Sequence, residues 1–244
     1  MTDGPSPPVA LVIGLTLAVG GLVVSGITGL VGTVGGALVG AGTNPEAATP
    51  VLVGVALAAS EAGFVVVGYA FRRTDDGRDI VVDWLGQPGP RDAALIVGTT
   101  AVLVAFNRIA FAVGSLLGVD PATAVSTPEE LSLAVLAFVI PAMLFAVGPA
   151  EEYLFRGVIQ GYLRRSFSVR GAIGWSAVLF TLVHLPNLLA NPESGVVSIP
   201  VWLGIGLVLG WLYERTATLL VPVAVHGLYN VSVIWLLFAE LGIV

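Results

Sequence analysis

Seven stretches of this chain are apolar over the length that a lipid bilayer demands, and this pattern restricts the fold more than any other feature. They run from Val9 to about Val39, Pro50 to Phe71, Asp92 to Val119, Leu131 to Gly148, Gly171 to Leu189, Val197 to Tyr213 and Ala217 to Val244. A hydrocarbon core about 30 Å thick takes roughly 20 residues of helix to cross. Within it each backbone N–H and C=O must find its partner inside the span, and a helix supplies that partner. The expected fold is all-α: a polytopic transmembrane helix bundle of about seven spans, one integral membrane domain with no separate soluble one. The first run is glycine-rich and longer than one span needs, which leaves a single tilted helix or a bent pair, and hence an eighth span, both open. Only 11% of the residues are charged and the mean hydropathy is +0.96, whereas about a quarter of the residues of a soluble domain carry charge.

The absence of cysteine excludes disulfides, cysteine nucleophiles and thiolate metal sites. All ten basic residues are arginine and the net charge is -6, so no basic patch for nucleic acid is present. Acidic loops without lysine fit a salt-adapted or GC-rich host. Met1 to Pro8 holds Asp3 and no basic residue; without the positive region of a cleavable signal, the first span is expected to be retained. Arginines concentrate in alternate loops: Arg72, Arg73, Arg78 and Arg91, then Arg164, Arg165 and Arg170, then Arg215. Because cytoplasmic loops carry the positive residues, this predicts a multi-pass cell-membrane protein with a cytoplasmic N-terminus and seven spans. The loop from Arg72 to Pro90 reads as a solvated connection, and Ser126 or Thr127 as the N-cap of the next helix. Pro141 and Pro149 predict a bent helix from Leu131 to Arg165.

Ionisable residues inside such spans are costly and point to function. Glu151 and Glu152, with Arg156, follow the fourth run, and the only two histidines, His184 and His226, lie in later ones. At ~1.5 Å per residue, Glu151 lies about 20 Å along its helix from Arg164, His184 about 21 Å from Arg170, and His226 about 16 Å from Arg215. Three helices thus bring their rare polar groups to one layer. Residues four apart share a helix face and adjacent ones diverge. Glu152 therefore pairs with Arg156, leaving Glu151 free to act, while His226 and Asn230 share a face and place an imidazole beside an amide. That pair suits either an oxyanion or a metal. Phe180, one turn before His184, is expected to pack beside it. Glu61, Asn107 and Arg108 are further intramembrane polar residues; Arg108 is expected to snorkel to the outer interface, and Glu61 to line a water path or pair with a neighbouring helix. Trp175, Trp202, Trp211 and Trp235 read as interfacial anchors.

Glu-Glu-x-x-x-Arg at Glu151, Glu152 and Arg156, Phe-x-x-x-His at Phe180 and His184, and His-x-x-x-Asn at His226 and Asn230 together resemble the three motifs of the CPBP intramembrane proteases, the family of type II CAAX prenyl endopeptidases and bacteriocin-immunity (Abi) proteins. The likeness covers about Leu131 to the C-terminus and divides the chain into N-terminal transmembrane helices, 1–130, and a catalytic core, 131–244. It implies an intramembrane endopeptidase acting on a membrane-associated or lipidated peptide. Glu151 and His184 would activate water, His226 and Asn230 would stabilise the oxyanion, and Glu152 and Arg156 would support the site. Both a metal-free mechanism and zinc held by Glu151, His184 and His226 stay open, although the His-Glu-x-x-His zinc motif is absent. The expected partners are membrane lipid and a peptide or protein substrate. The alternative reading is a non-proteolytic transporter, immunity or scaffold protein that uses the same buried groups to bind an ion or a partner.

Overall fold

The structure, a computed structural model, describes residues 4–42, 45–119, 132–189 and 191–244, with the backbone alone described at 41 and 45–48. Ser126 and Thr127 lie outside these residues, as does the boundary at 130/131. The described residues form seven helices long and apolar enough to cross a membrane, so this is a multi-pass helical membrane protein. These helices are α1 (Pro7–Ala41), α2 (Pro45–Phe71), α3 (Pro90–Leu116), α4 (Leu133–Leu163), α5 (Val169–His184), α6 (Gly195–Thr216) and α7 (Leu220–Glu240). Short 3₁₀ turns, Leu185–Leu188 and Pro192–Ser194, join α5 to α6.

The long first run is one continuous 35-residue helix, which excludes the bent pair. Its glycines explain why. Gly21, Ser25, Gly29, Gly32 and Gly36 recur every three or four residues and form a smooth stripe against α2. A Cβ added at Gly32 would fall 2.4 Å from the Cβ of Ala59, and one at Gly63 would fall 2.2 Å from the Ser25 nitrogen. Lipid tails are as apolar as leucine, so helices associate in membranes through close backbone approach and dispersion rather than through the hydrophobic effect.

Sequence marks where the helices begin. Proline stands at the first turn of α1 and α3, where its missing N–H costs nothing and its φ is already helical. The Asp92 carboxylate accepts the Gly89 N–H at 2.8 Å. Ser132 Oγ accepts the Val135 N–H at 3.3 Å and Ser168 Oγ the Gly171 N–H at 3.2 Å, which caps α4 and α5.

α4 is the central helix. Pro141 and Pro149 remove two backbone donors and crowd the preceding turns, and the helix responds with two wide π turns, Met143–Val147 and Tyr153–Gln160. All eight residues of the second are buried. The Phe155 carbonyl in that turn accepts a hydrogen bond from Ser176 Oγ of α5 at 2.9 Å. One apolar core joins Leu17 of α1 and Phe64 of α2 to Leu154 and Phe155 of α4 and Leu209 of α6.

Where α4 crosses α7 the two backbones touch. A Cβ on Gly148 would lie 3.1 Å from the Val223 carbonyl oxygen and 3.3 Å from the Gly227 nitrogen, and one on Gly227 would lie 3.3 Å from the Leu144 Cα. Glu151 and Glu152 follow this crossing by one turn on one helix, and His226 immediately precedes it on the other.

The N-terminus, the loop 72–89 and the α4–α5 connection meet at one end of the bundle: Ser166 Oγ donates to the Pro5 carbonyl at 2.5 Å and Arg165 donates to the Asp76 carbonyl at 2.7 Å. The α6–α7 connection joins the same end, because the Leu219 N–H donates to the Asp83 carbonyl at 2.8 Å. All the loop arginines therefore share a face with the N-terminus. The loop itself is not simply solvated. Ile80 is buried, Trp84 stacks on Tyr153 with ring centres 5.5 Å apart, and Val82 and Ile80 cover the bare backbone at Gly157 and Gly161.

The α1–α2 contact gives a direct test. Overpacking of this kind costs about 1–3 kcal/mol, so Gly63→Leu is expected to lower the thermal midpoint in detergent by roughly 3–10 °C for a chain of this size. Gly26→Ala, whose Cβ meets open space, should leave it unchanged.

Candidate active site

Glu152, Arg156 and Gln160 lie four residues apart along one side of α4, and each is fully buried. Arg156 Nη1 donates to Glu152 Oε1 at 2.9 Å and its Nη2 to the Gly206 carbonyl at 3.2 Å. Gln160 Nε2 donates to the Gly210 carbonyl at 3.1 Å and to Glu214 Oε1 at 3.0 Å. The row thus docks on two carbonyls of α6 that are themselves one turn apart. Glycine is required at the contact, since a Cβ on Gly210 would fall 2.8 Å from Gln160 Oε1.

The pairing expected for Glu152 and Arg156 is present, and it extends further. His226 Nδ1 lies 2.8 Å from Glu152 Oε1, while its Nε2 points toward Glu151 Oε2 at 3.7 Å. An ionised carboxylate only accepts, so Nδ1 carries the proton in this bond. Arg156, Glu152 and His226 form a buried chain whose outer end is an imidazole nitrogen facing Glu151. The Glu151 side chain diverges from that of Glu152, as the helix geometry predicts, and its Oε2 is buried without a hydrogen-bond partner among the described residues.

His184 ends α5, and its Nδ1 lies 2.8 Å from the Phe180 carbonyl. A carbonyl only accepts, so Nδ1 donates and Nε2 is left with its lone pair. The Phe180 ring is the common packing surface. His184 lies 4.6 Å from it, His226 5.9 Å and edge-on, and the Arg156 guanidinium 4.6 Å over its face. The convergence of three helices on one layer is realised around this ring.

A cavity of about 700 Å³ opens in front of these groups. Glu151, His184, His226 and Asn230 line it; Glu152 and Arg156 do not, and sit behind its wall. Six of the seven motif residues therefore divide into four that can touch a bound molecule and two that hold them; the seventh, Phe180, also lines the cavity. The first four comprise a carboxylate, an imidazole with a free lone pair, a second imidazole and an amide, a set able to activate water and stabilise a developing negative charge.

Zinc requires at least three protein ligands converging at about 2.0–2.2 Å. Among the described residues no group of three or more histidine, aspartate or glutamate side chains is gathered in that way. The Nδ1 atoms of His226 and His184 are engaged by Glu152 and the Phe180 carbonyl, an arrangement that fixes each ring and leaves its Nε2 available to the cavity.

Other polar residues have partners that spacing along the chain does not name. Arg108 pairs with Glu240 at the end of α7, both half-exposed. Trp202 sits beside His184, 5.4 Å between ring centres, and lines the cavity. Glu61 of α2 also faces the cavity, buried, with Ser60 Oγ 3.3 Å from its Oε1. Asn107 donates to the Tyr229 hydroxyl at 3.0 Å. Sequence reasoning passed over Gln160, whose four-residue spacing from Arg156 was a readable signal, and Tyr229, which carried none.

Residues 132–232 match the family model for type II CAAX prenyl endopeptidase Rce1-like proteins. The membrane-embedded CAAX protease MroQ of Staphylococcus aureus (strain USA300) is 31% identical over 114 residues, which cover 43% of this chain and 42% of that relative. The chain thus aligns with less than half the length of the curated relative it matches. No solved structure matches. The matched segment carries all seven motif residues and leaves out α1, α2 and α3.

The two glutamates should separate in a stability measurement. Removing one partner of a buried ion pair costs about 3–5 kcal/mol, so Arg156→Leu or Glu152→Ala is expected to destabilise by that amount in unfolding titrations in mixed micelles. Glu151→Gln breaks no described hydrogen bond and should stay within about 1 kcal/mol of the unmodified protein.

Proposed function

We propose that this chain, whose residues 132–232 match the family model for type II CAAX prenyl endopeptidase Rce1-like proteins, is an intramembrane endopeptidase. The observation that carries the reading is the sharing of one intramembrane cavity by Glu151, His184, His226 and Asn230, with Glu152 and Arg156 packed behind. In the mechanism the geometry supports best, Glu151 takes a proton from a water that His184 Nε2 orients. The resulting hydroxide adds to the carbonyl carbon of the substrate. His226 Nε2–H and the Asn230 amide hold the negative oxygen that develops. Glu151 then passes its proton to the amide nitrogen as the C–N bond breaks, giving a carboxylic acid and an amine.

The substrate we infer is a peptide bond in a membrane-associated or lipidated protein, reached laterally from lipid or from the arginine-bearing end, which the distribution of positive residues assigns to the cytoplasm. A quenched farnesylated CAAX peptide in detergent micelles is the probe. Glu151→Gln and His184→Ala are expected to lower its cleavage by at least ~10³-fold with folding retained, and Asn230→Ala to lower kcat by about 10²–10³-fold, the usual cost of one oxyanion donor. Equal cleavage by Glu151→Gln and the unmodified protein would sink the mechanism.

A second reading, an ion-binding membrane protein, is favoured by Glu61, which adds another carboxylate to the same cavity from outside the matched segment. Proton or metal flux into proteoliposomes that Glu61→Gln and Glu151→Gln each abolish, with no peptide cut, would decide for it.

A further inference from the structure

The proteolytic reading leaves a buried phenolic donor in the cavity without a task. Tyr229 lies on α7 between His226 and Asn230, is 7% exposed, and lines the cavity. Its hydroxyl oxygen accepts a hydrogen bond from Asn107 Nδ2 of α3 at 3.0 Å, and Asn107 is itself 3% exposed. An amide N–H₂ cannot accept, so the phenolic proton must go elsewhere. Among the described residues no acceptor takes it. A buried hydroxyl with an uncommitted proton is costly unless a water or a ligand receives it.

The ligand that fits follows from the solvent. A peptide must be extended at the bond to be cut, and extended backbone within a bilayer has lost the internal hydrogen bonds that a helix provides. Its carbonyl oxygens then need donors from the wall of the cavity. We propose, resting on the proteolytic reading, that Tyr229 donates its hydroxyl proton to a backbone carbonyl oxygen of the extended substrate, and that Asn107 is the positioning residue that aims it. His226 and Asn230 serve the reacting carbonyl. Tyr229, one position from Asn230 on the same helix, serves a neighbouring one. Asn107 lies outside the matched segment 132–232, so α3 contributes to substrate handling through this contact rather than acting as a spacer against lipid.

Tyr229→Phe removes the hydroxyl and keeps the ring. With the quenched farnesylated peptide in micelles, it is expected to lower kcat/KM about tenfold, mostly through KM, because a contact made equally in the ground and transition states is lost. Asn107→Ala should cause a similar loss in the unmodified protein and little further loss in Tyr229→Phe, the non-additivity of two residues acting through one bond. A purely structural Asn107 would instead lower the thermal midpoint and change kinetics in both backgrounds alike, which would overturn its positioning role. An ultraviolet resonance Raman difference spectrum, unmodified minus Tyr229→Phe, reports on the hydroxyl without turnover. A tyrosine that accepts and has no protein acceptor is expected, and one that donates to Asn107 overturns the proposal. If the unmodified protein cuts the peptide and Tyr229→Phe cuts it equally well, Tyr229 has no part in binding while the proteolytic reading stands. If the unmodified protein cuts no better than Glu151→Gln, that reading fails and the role of Tyr229 goes with it.

Discussion

Within this bundle, the ionic chain from Arg156 through Glu152 to His226 is the interaction on which the site depends. None of the three could sit in hydrocarbon alone, and each has a partner that offsets its desolvation. The chain also does geometric work, because it ties α4 to α7 through His226 and to α6 through the Gly206 carbonyl. Phe180 adds α5 by packing against Arg156 and both histidines. Four helices are thereby held in register at one depth, and Glu151, which the chain does not bind, is what remains to face the cavity.

The same logic explains the second π turn of α4. Tyr153–Gln160 is buried on every side, yet it carries Arg156 and Gln160 toward α6 and leaves a carbonyl for Ser176 of α5. The two prolines upstream supply the disruption, and neighbouring helices satisfy what the disruption frees. Such irregularity is tolerated in a membrane only where protein surrounds it.

Much of this was legible in the sequence. Apolar runs of bilayer length mark the seven spans because hydrocarbon thickness is a hard constraint, and the four-residue spacing of Glu152 and Arg156 reports a true pair because both lie on one helix. The hydropathy run nevertheless stops at Gly148 while α4 continues to Leu163: hydropathy counts charges and does not see that Glu152, Arg156 and Gln160 satisfy one another and α6. The Glu152–His226 bond was illegible for a related reason, since it joins residues 74 apart. The partners of Arg108 and Trp202 were not legible, because distance along a helix gives depth but not direction around the axis. Arg108 in fact turns toward Glu240, and Trp202 toward His184.

The crossing of α4 and α7 at Gly148 and Gly227 has a bearing on how such a chain can drift. The spacing between Glu151 and His226 is set by two backbones in contact, with no side chain interposed whose volume could change it. Val12, Leu30, Leu116 and Phe145, turned outward, play no part in that spacing. A lineage can therefore exchange its lipid-facing residues, and adapt to bilayers of different composition, while the acid and the imidazole keep their separation. Divergence is channelled to the outer surface, and at the two glycines an added Cβ would press on the opposing backbone.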